Sequence, residues 1–144
     1  MHGMHYAQAV NHASPPTFAW QALLLAAGQG ARLGHCAKPL IRINGITLLE
    51  QQLQHLDAAG ALQTVLVLGH HAQAVQAQTM LSSKIKALQL APGQTQSDSL
   101  QAGLAECVPH WPTLVVLCDM PLLESSHFAA LLAAYEAAGC DMLY

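Results

Sequence analysis

The strongest constraint on the fold is a set of short apolar runs that stop abruptly instead of continuing into an amphipathic pattern. Ala22-Leu23-Leu24-Leu25-Ala26-Ala27 ends at Gly28, and Thr64-Val65-Leu66-Val67-Leu68 ends at Gly69. Thr113-Leu114-Val115-Val116-Leu117-Cys118 runs directly into Asp119. Such runs are too short for buried helices and predict strands covered on both faces, as in a parallel sheet. Ile85-Lys86-Ala87-Leu88-Gln89-Leu90 alternates apolar and polar residues, which suits a strand nearer a sheet edge.

Helical segments separate these runs. Thr47-Leu48-Leu49-Glu50 has the form of a capping box, with the Thr47 hydroxyl accepting from the third helical amide and Glu50 reaching back to the cap. Leu49, Leu53 and Leu56 then share one face, and Gly60 supplies a left-handed stop. A weaker helix is expected over residues 72–81. Asp98-Ser99-Leu100-Gln101 predicts another, with Asp98 as cap and Gln101 at its third position. The last begins near Ser125 or Ser126, carries Phe128, Leu131, Leu132 and Tyr135, and stops at Gly139. Helices alternating with buried strands imply an α/β fold, a three-layer Rossmann-like sandwich around a mostly parallel sheet. A chain of 144 residues with no internal repeat fits one domain. That domain is expected over residues 20–144, after a poorly ordered extension over residues 1–19 that closes with Ser14-Pro15-Pro16.

Composition removes several classes of function. Hydrophobic residues make up 53% and charged residues 9%, the reverse of a disordered chain. A net charge of −3 with only 5 Lys+Arg offers no cationic cluster for a nucleic-acid backbone. From Met1 to Ala31 no side chain is charged, yet polar residues interrupt the segment well short of the roughly 18 apolar residues a spanning helix needs. No Lys or Arg precedes the first apolar run, so neither a signal peptide nor a membrane partner is expected. Cys36, Cys107, Cys118 and Cys140 form no CxxC pair, which favours reduced thiols over disulfides and a cytoplasmic location. Nine histidines are present, but without HxH or HExxH spacing they predict no dedicated metal site.

In a parallel α/β sheet, ligands bind outside the carboxyl ends of the strands. The connection after the first run contains Gly28 and Gly30, whose backbone amides can approach a ligand closely and form an anion-binding concavity. It also contains Arg32 and Lys38, two of the chain's 5 cations. A dinucleotide loop would need glycine at Leu33, and Gly34 misses that position by one. Two added cations suit a triphosphate better than a pyrophosphate held mainly by a helix terminus. A plain structural turn with incidental charges is the remaining alternative. Cys36 in the same loop could be a reactive thiol beside cations, though a variable loop residue explains it as well.

The run Leu25-Ala26-Ala27-Gly28-Gln29-Gly30-Ala31-Arg32-Leu33-Gly34-His35-Cys36-Ala37-Lys38-Pro39-Leu40 resembles the signature loop of nucleotidyltransferases that activate small phosphorylated acceptors with an NTP. The resemblance is above all to the molybdenum-cofactor nucleotidyltransferase-like family, and sugar-phosphate and isoprenoid-precursor cytidylyltransferases share the loop. It continues through Gly45-Ile46-Thr47-Leu48-Leu49-Glu50, residues 93–104 and Cys118-Asp119-Met120-Pro121, and spans about residues 20 to 143. The resemblance implies a nucleotide-diphospho-sugar transferase fold and Mg²⁺-dependent NMP transfer to an acceptor such as molybdopterin, with pyrophosphate released. Ala26, Ala27, Gly28 and Gly30 would then cradle the nucleotide, with Arg32 neutralising the triphosphate. Lys38 would stabilise the charge as the acceptor phosphate attacks. Asp119 would hold Mg²⁺, a hard ion that takes carboxylate and phosphate oxygens. Gln94 and Ser99 would contact base and ribose.

Two departures from the family qualify these expectations. Ala26-Ala27-Gly28 resembles cytidylyl and uridylyl members, whereas the three residues between Gly34 and Lys38 resemble guanylyl and sugar-phosphate members. The two signals conflict, and CTP is favoured over GTP because Ala27 beside the base would leave less room than glycine. Family members also run on for tens of residues beyond the strand start suggested by Cys140–Tyr144. The chain is thus expected to be a piece truncated at its C-terminus, with nucleotide binding retained and transfer weak or absent. Otherwise it is a short form that covers an apolar sheet edge by self-association. The competing functions are a non-catalytic nucleotide-binding or regulatory domain, a sugar-phosphate or alcohol-phosphate cytidylyltransferase, and an NAD-type oxidoreductase.

Overall fold

Alternation along the two central strands produces the layers. The computed structural model describes residues 18–27, 40–69, 71–91, 93–118 and 125–138. In chain order the elements are β1 (Gln21–Ala26), β2 (Arg42–Ile43), β3 (Ile46–Thr47), α1 (Leu48–Ala58), β4 (Gln63–Leu68), α2 (Ala72–Gln78), β5 (Ile85–Gln89), α3 (Gln96–Ala105), β6 (Thr113–Leu117) and α4 (Ser125–Ala138). Ala22, Leu24 and Ala26 of β1 share a core with Leu66 and Leu68 of β4, covered by Leu49 and Leu56 of α1, Val75 of α2, and Phe128 and Leu132 of α4. Leu23 and Leu25 lie in a second core with Val65 and Val67, covered by Leu100 of α3. Helices therefore flank both faces of the sheet, as expected. Fully burying one such leucine contributes about 1.5–3 kcal/mol.

The larger sheet runs β5-β4-β1-β6, with every neighbouring pair parallel. The chain moves outward from β1 through β4 to β5, then returns across the sheet to place β6 on the other side of β1. β5 lies at an edge, as its alternation predicts. β6 was expected to be buried throughout, and here the structure differs: Val116 is 3% exposed, but Val115 is 45% exposed. Among the described residues β6 pairs only with β1, and Val115 gives it an exposed apolar side chain.

Three local features differ from the sequence expectations. Arg42–Ile43 and Ile46–Thr47 form an antiparallel hairpin turned by Asn44 (φ 56) and Gly45 (φ 88). That turn needs positive φ at both central residues, which Asn-Gly tolerates best. Arg42 donates from its guanidinium to the Gly45 carbonyl at 3.0 Å. Thr47 then caps α1, its hydroxyl accepting from the Glu50 amide at 3.1 Å. The reciprocal half of the expected box does not form, and Glu50 instead lines a surface cavity. The helix over residues 72–81 stops at Gln78.

One buried polar residue ties the amino ends of the strands together. The Gln21 side-chain amide donates to the Val108 carbonyl at 2.9 Å and to Thr113 Oγ1 at 3.0 Å. Its Oε1 accepts from the Val108 amide at 2.9 Å and from Gln63 Nε2 at 3.2 Å. Gln21 is wholly buried, and these bonds offset the cost of removing its amide from water.

Candidate nucleotide site at the carboxyl edge

The parallel strands finish level with one another. Leu25 is opposite both Val67 and Leu117, and Leu68 is opposite Gln89. Backbone bonds extend the alignment past the strand ends, from Cys118 N to Leu25 O at 3.1 Å and from Leu90 N to Leu68 O at 2.8 Å. The connections after β1, β4, β5 and β6 therefore all leave one edge. The switch in winding direction falls between β1 and β6, the place in a parallel α/β sheet where ligands bind.

Ala26 is buried at the end of β1, and Ala27 follows it at the rim. Gly69, at the end of β4, lies directly against Ala27. A Cβ added to Gly69 would stand 2.8 Å from the Ala27 carbonyl oxygen and 3.1 Å from Ala27 Cβ. Ala72 N donates to Gly69 O at 3.0 Å, closing the turn into α2.

The connection after β5 contains Gly93 (φ 87), the exposed Gln94 and then α3. The sequence places the cap of this helix at Asp98, but the structure places it at Thr95. Thr95 Oγ1 accepts from Asp98 N at 3.1 Å, and an Asp98 carboxylate oxygen accepts from Thr95 N at 2.9 Å. This reciprocal pair makes Asp98 the third helical residue and starts α3 earlier. Ser99 is 4% exposed and donates its hydroxyl to the Thr95 carbonyl at 3.2 Å. Gln94 therefore faces solvent beside the edge, while Ser99 supports the loop from within.

The Thr95 backbone bond, with a smaller contribution from the Thr95 hydroxyl, holds the Asp98 carboxyl below the usual carboxylate range. A lowered folded-state pKa contributes stability above that range and loses it as pH falls through the folded value. The gap in melting temperature between the wild-type chain and Asp98→Asn is therefore expected to narrow below roughly pH 4. A gap that stayed constant from neutral to acid pH would show that the ionised carboxylate is not what holds the loop.

Gly28, Gly30, Arg32, Cys36, Lys38 and Asp119 lie outside the described residues. The three described cations each have a structural partner. Arg42 bonds Gly45, Lys84 pairs with Asp57 at 3.0 Å, and Lys86 pairs with Glu106 at 2.8 Å. A cavity of about 580 Å³ lies away from the carboxyl edge, at the amino ends of β4 and β5, with Thr64, Lys84 and Ile85 in its wall. Most of that wall is exposed, so it is a surface depression. Cys107 and Cys118 are not in disulfides. Among the described residues no cluster of three His, Cys, Asp or Glu could hold a metal, and no helix is long and apolar enough to cross a membrane.

Residues 22–144 match the MobA-like NTP transferase domain. The chain belongs to that family. Within and around it, the bifunctional protein GlmU of an Exiguobacterium species is 34% identical over 120 residues, covering 81% of this chain and 26% of that protein. Nicotine blue oxidoreductase of Paenarthrobacter nicotinovorans is 34% identical over 114 residues, covering 79% of this chain and 56% of that one. The crystal structure of Rv0371c from Mycobacterium tuberculosis superposes with a TM-score of 0.73 at 28% identity, over 83% of this chain and 62% of that one. Rv0371c has also been crystallised with manganese. The chain thus spans about a quarter to under two thirds of the length of these relatives. The fold of the family is the one described above, a mostly parallel sheet between helical layers.

Proposed function

We propose that the carboxyl edge binds a nucleoside triphosphate and transfers its NMP unit to a small phosphorylated acceptor. The observation that carries this reading is the adjacency of β1 and β6 at the switch point. The connections leaving these two strands begin, in sequence, with the glycine-rich segment from Gly28 and with Asp119. One supplies amides and cations for phosphates, the other a carboxylate.

In this reading Ala26, Ala27, Gly28 and Gly30 line the nucleotide, Arg32 balances the triphosphate, and Lys38 stabilises charge on the reacting phosphates. An acceptor phosphate oxygen forms a bond to the α-phosphorus, the bond from that phosphorus to the β-phosphate oxygen breaks, and pyrophosphate leaves. Such transfer depends mainly on positioning and electrostatic stabilisation. Gln94 contacts the base or ribose, and Ser99 acts indirectly by holding the segment that carries Gln94. The Asp119 carboxylate is a hard oxygen donor of the kind Mg²⁺ and Mn²⁺ take together with phosphate oxygens. When bound, the ion neutralises phosphate charge. The manganese complex of Rv0371c shows that a protein of this fold takes a divalent ion.

Ala27 beside the base leaves less room than glycine would, favouring CTP over GTP. Molybdopterin is the acceptor suggested by the family likeness, with sugar and alcohol phosphates as its chemical neighbours. This NTP chemistry belongs in the cytoplasm. The exposed Val115 of β6 could support self-association.

Asp119→Asn is expected to abolish the Mg²⁺ dependence of NTP binding, measured by calorimetry. Intact dependence in that variant would give the carboxylate another role. The activity test is pyrophosphate release from CTP or GTP plus a phosphorylated acceptor. Release supports transfer, and nucleotide binding without release would identify a non-catalytic binding domain. The likeness to nicotine blue oxidoreductase sustains one further reading, an oxidoreductase, which predicts NADH binding in place of NTP binding.

A further inference from the structure

We propose that Gly69 is a positioning residue for the nucleotide loop, fixing where the backbone of Ala27 begins its path past the ligand. The assignment rests on the reading that residues from Ala26 onward hold an NTP. It deepens that reading by naming what holds the start of the loop in place.

Gly69 is not required by its own backbone conformation. The described glycines with positive φ are Gly45, Gly60 and Gly93, and Gly69 is not among them. What excludes a side chain is the approach of Ala27, with its carbonyl oxygen 2.8 Å, its Cβ 3.1 Å and its Cα 3.3 Å from a Cβ built on Gly69. Two of these three atoms are backbone, so no rotamer change could relieve the contact.

The surrounding structure determines which side would yield. Ala26 and Leu68, the preceding residues, are opposite one another in the sheet and buried. On the far side of Gly69, Ala72 is 1% exposed and its amide is bonded to the Gly69 carbonyl. Leu25 is further tied to β6 through the Cys118 amide. A Cβ at Gly69 would therefore push mainly on Ala27, the first residue beyond the paired part of β1. Ala27 is one of the residues proposed to line the nucleotide, so its displacement weakens binding.

Gly103 provides a control. A Cβ there would meet the Leu23 side chain and Val67 Cγ2, in the core between α3 and the sheet. That substitution disturbs packing without touching the loop.

The test is titration of the whole chain with CTP in the presence of Mg²⁺, at a temperature where each variant is folded. Gly69→Ala is expected to weaken binding at least tenfold. Gly103→Ala is expected to lower the melting temperature and leave affinity within twofold of wild type. Adding Ala27→Gly to Gly69→Ala removes the Cβ contact but leaves the carbonyl contact, so affinity should recover in part. If Gly69→Ala alone does not fold, the double variant is compared with Ala27→Gly alone: affinity below that of the single variant supports the assignment, and equal affinity overturns it. Wild-type binding that Gly69→Ala leaves unchanged overturns the assignment alone. A wild-type chain that binds neither CTP nor GTP overturns the nucleotide reading, and this assignment with it.

Discussion

Lys38→Ala is expected to slow turnover at least tenfold without lowering the melting temperature. A hydrogen bond to a charged group contributes about 1.5–3 kcal/mol, and about 1.4 kcal/mol is a factor of ten in rate. The structure narrows the choice of cation. Lys84 and Lys86 are tied to Asp57 and Glu106, and Arg42 is tied to its own hairpin. Of the 5 Lys+Arg in the chain, Arg32 and Lys38 remain as candidates to balance a triphosphate, and both belong to the segment that leaves β1. Lys38 is the one assigned to the reacting phosphates, so its loss should lower kcat more than it raises KM for the nucleotide. Pyrophosphate-release kinetics on Lys38→Ala would check this. Unchanged kcat in a variant of normal melting temperature would remove Lys38 from the chemistry.

The largest stability effect is expected from Gln21→Leu. Leucine has a similar volume and suits a buried strand, so the substitution isolates the lost hydrogen bonds. The Val108 amide would lose its partner and Thr113 Oγ1 would lose a donor, while the Val108 carbonyl would keep the Trp111 amide at 3.3 Å. Leaving the Val108 amide unsatisfied costs about 1–3 kcal/mol and losing the Thr113 bond about 0.5–1.5 kcal/mol, which puts the loss at about 2–4 kcal/mol. For a chain of this length that corresponds to a drop in melting temperature of roughly 5–15 °C. Thermal unfolding followed by circular dichroism would measure it. A change below about 2 °C would mean that water replaces Gln21 without cost, contrary to its complete burial.

Gln21 also illustrates what the sequence conceals. A glutamine at the head of an apolar run reads as a strand boundary, because nothing local says that Val108 will lie beside it. The contact between Gly69 and Ala27 was hidden for the same reason: it joins the ends of two strands far apart in the chain. The strands themselves were legible because an uninterrupted apolar run has few other places to go, and alternation marked β5 as an edge. Partial exposure of β6 was not legible, since Val115 has the same character as the buried Val116. Two misses had local signals. Asn44-Gly45 announces a two-residue hairpin, and Thr95-x-x-Asp98 is a better capping box than one beginning at Asp98.

The candidate site was legible in part for a chemical reason. Glycines and cations concentrated in one connection point to anions whatever the surrounding fold. The sequence alone could not say that the strands leading into that connection and into Asp119 are neighbours. The parallel pairing of β1 with β6, and the level finish of the strands, put the starts of both connections at one switch point.

The central claim is that this edge takes a nucleoside triphosphate together with a divalent ion. Calorimetric titration of the chain with CTP, GTP and NADH, each with and without Mg²⁺, tests it most directly. Binding of CTP that tightens when Mg²⁺ is added, with GTP weaker and NADH silent, is the predicted result. Binding of NADH with no response to either triphosphate would contradict it.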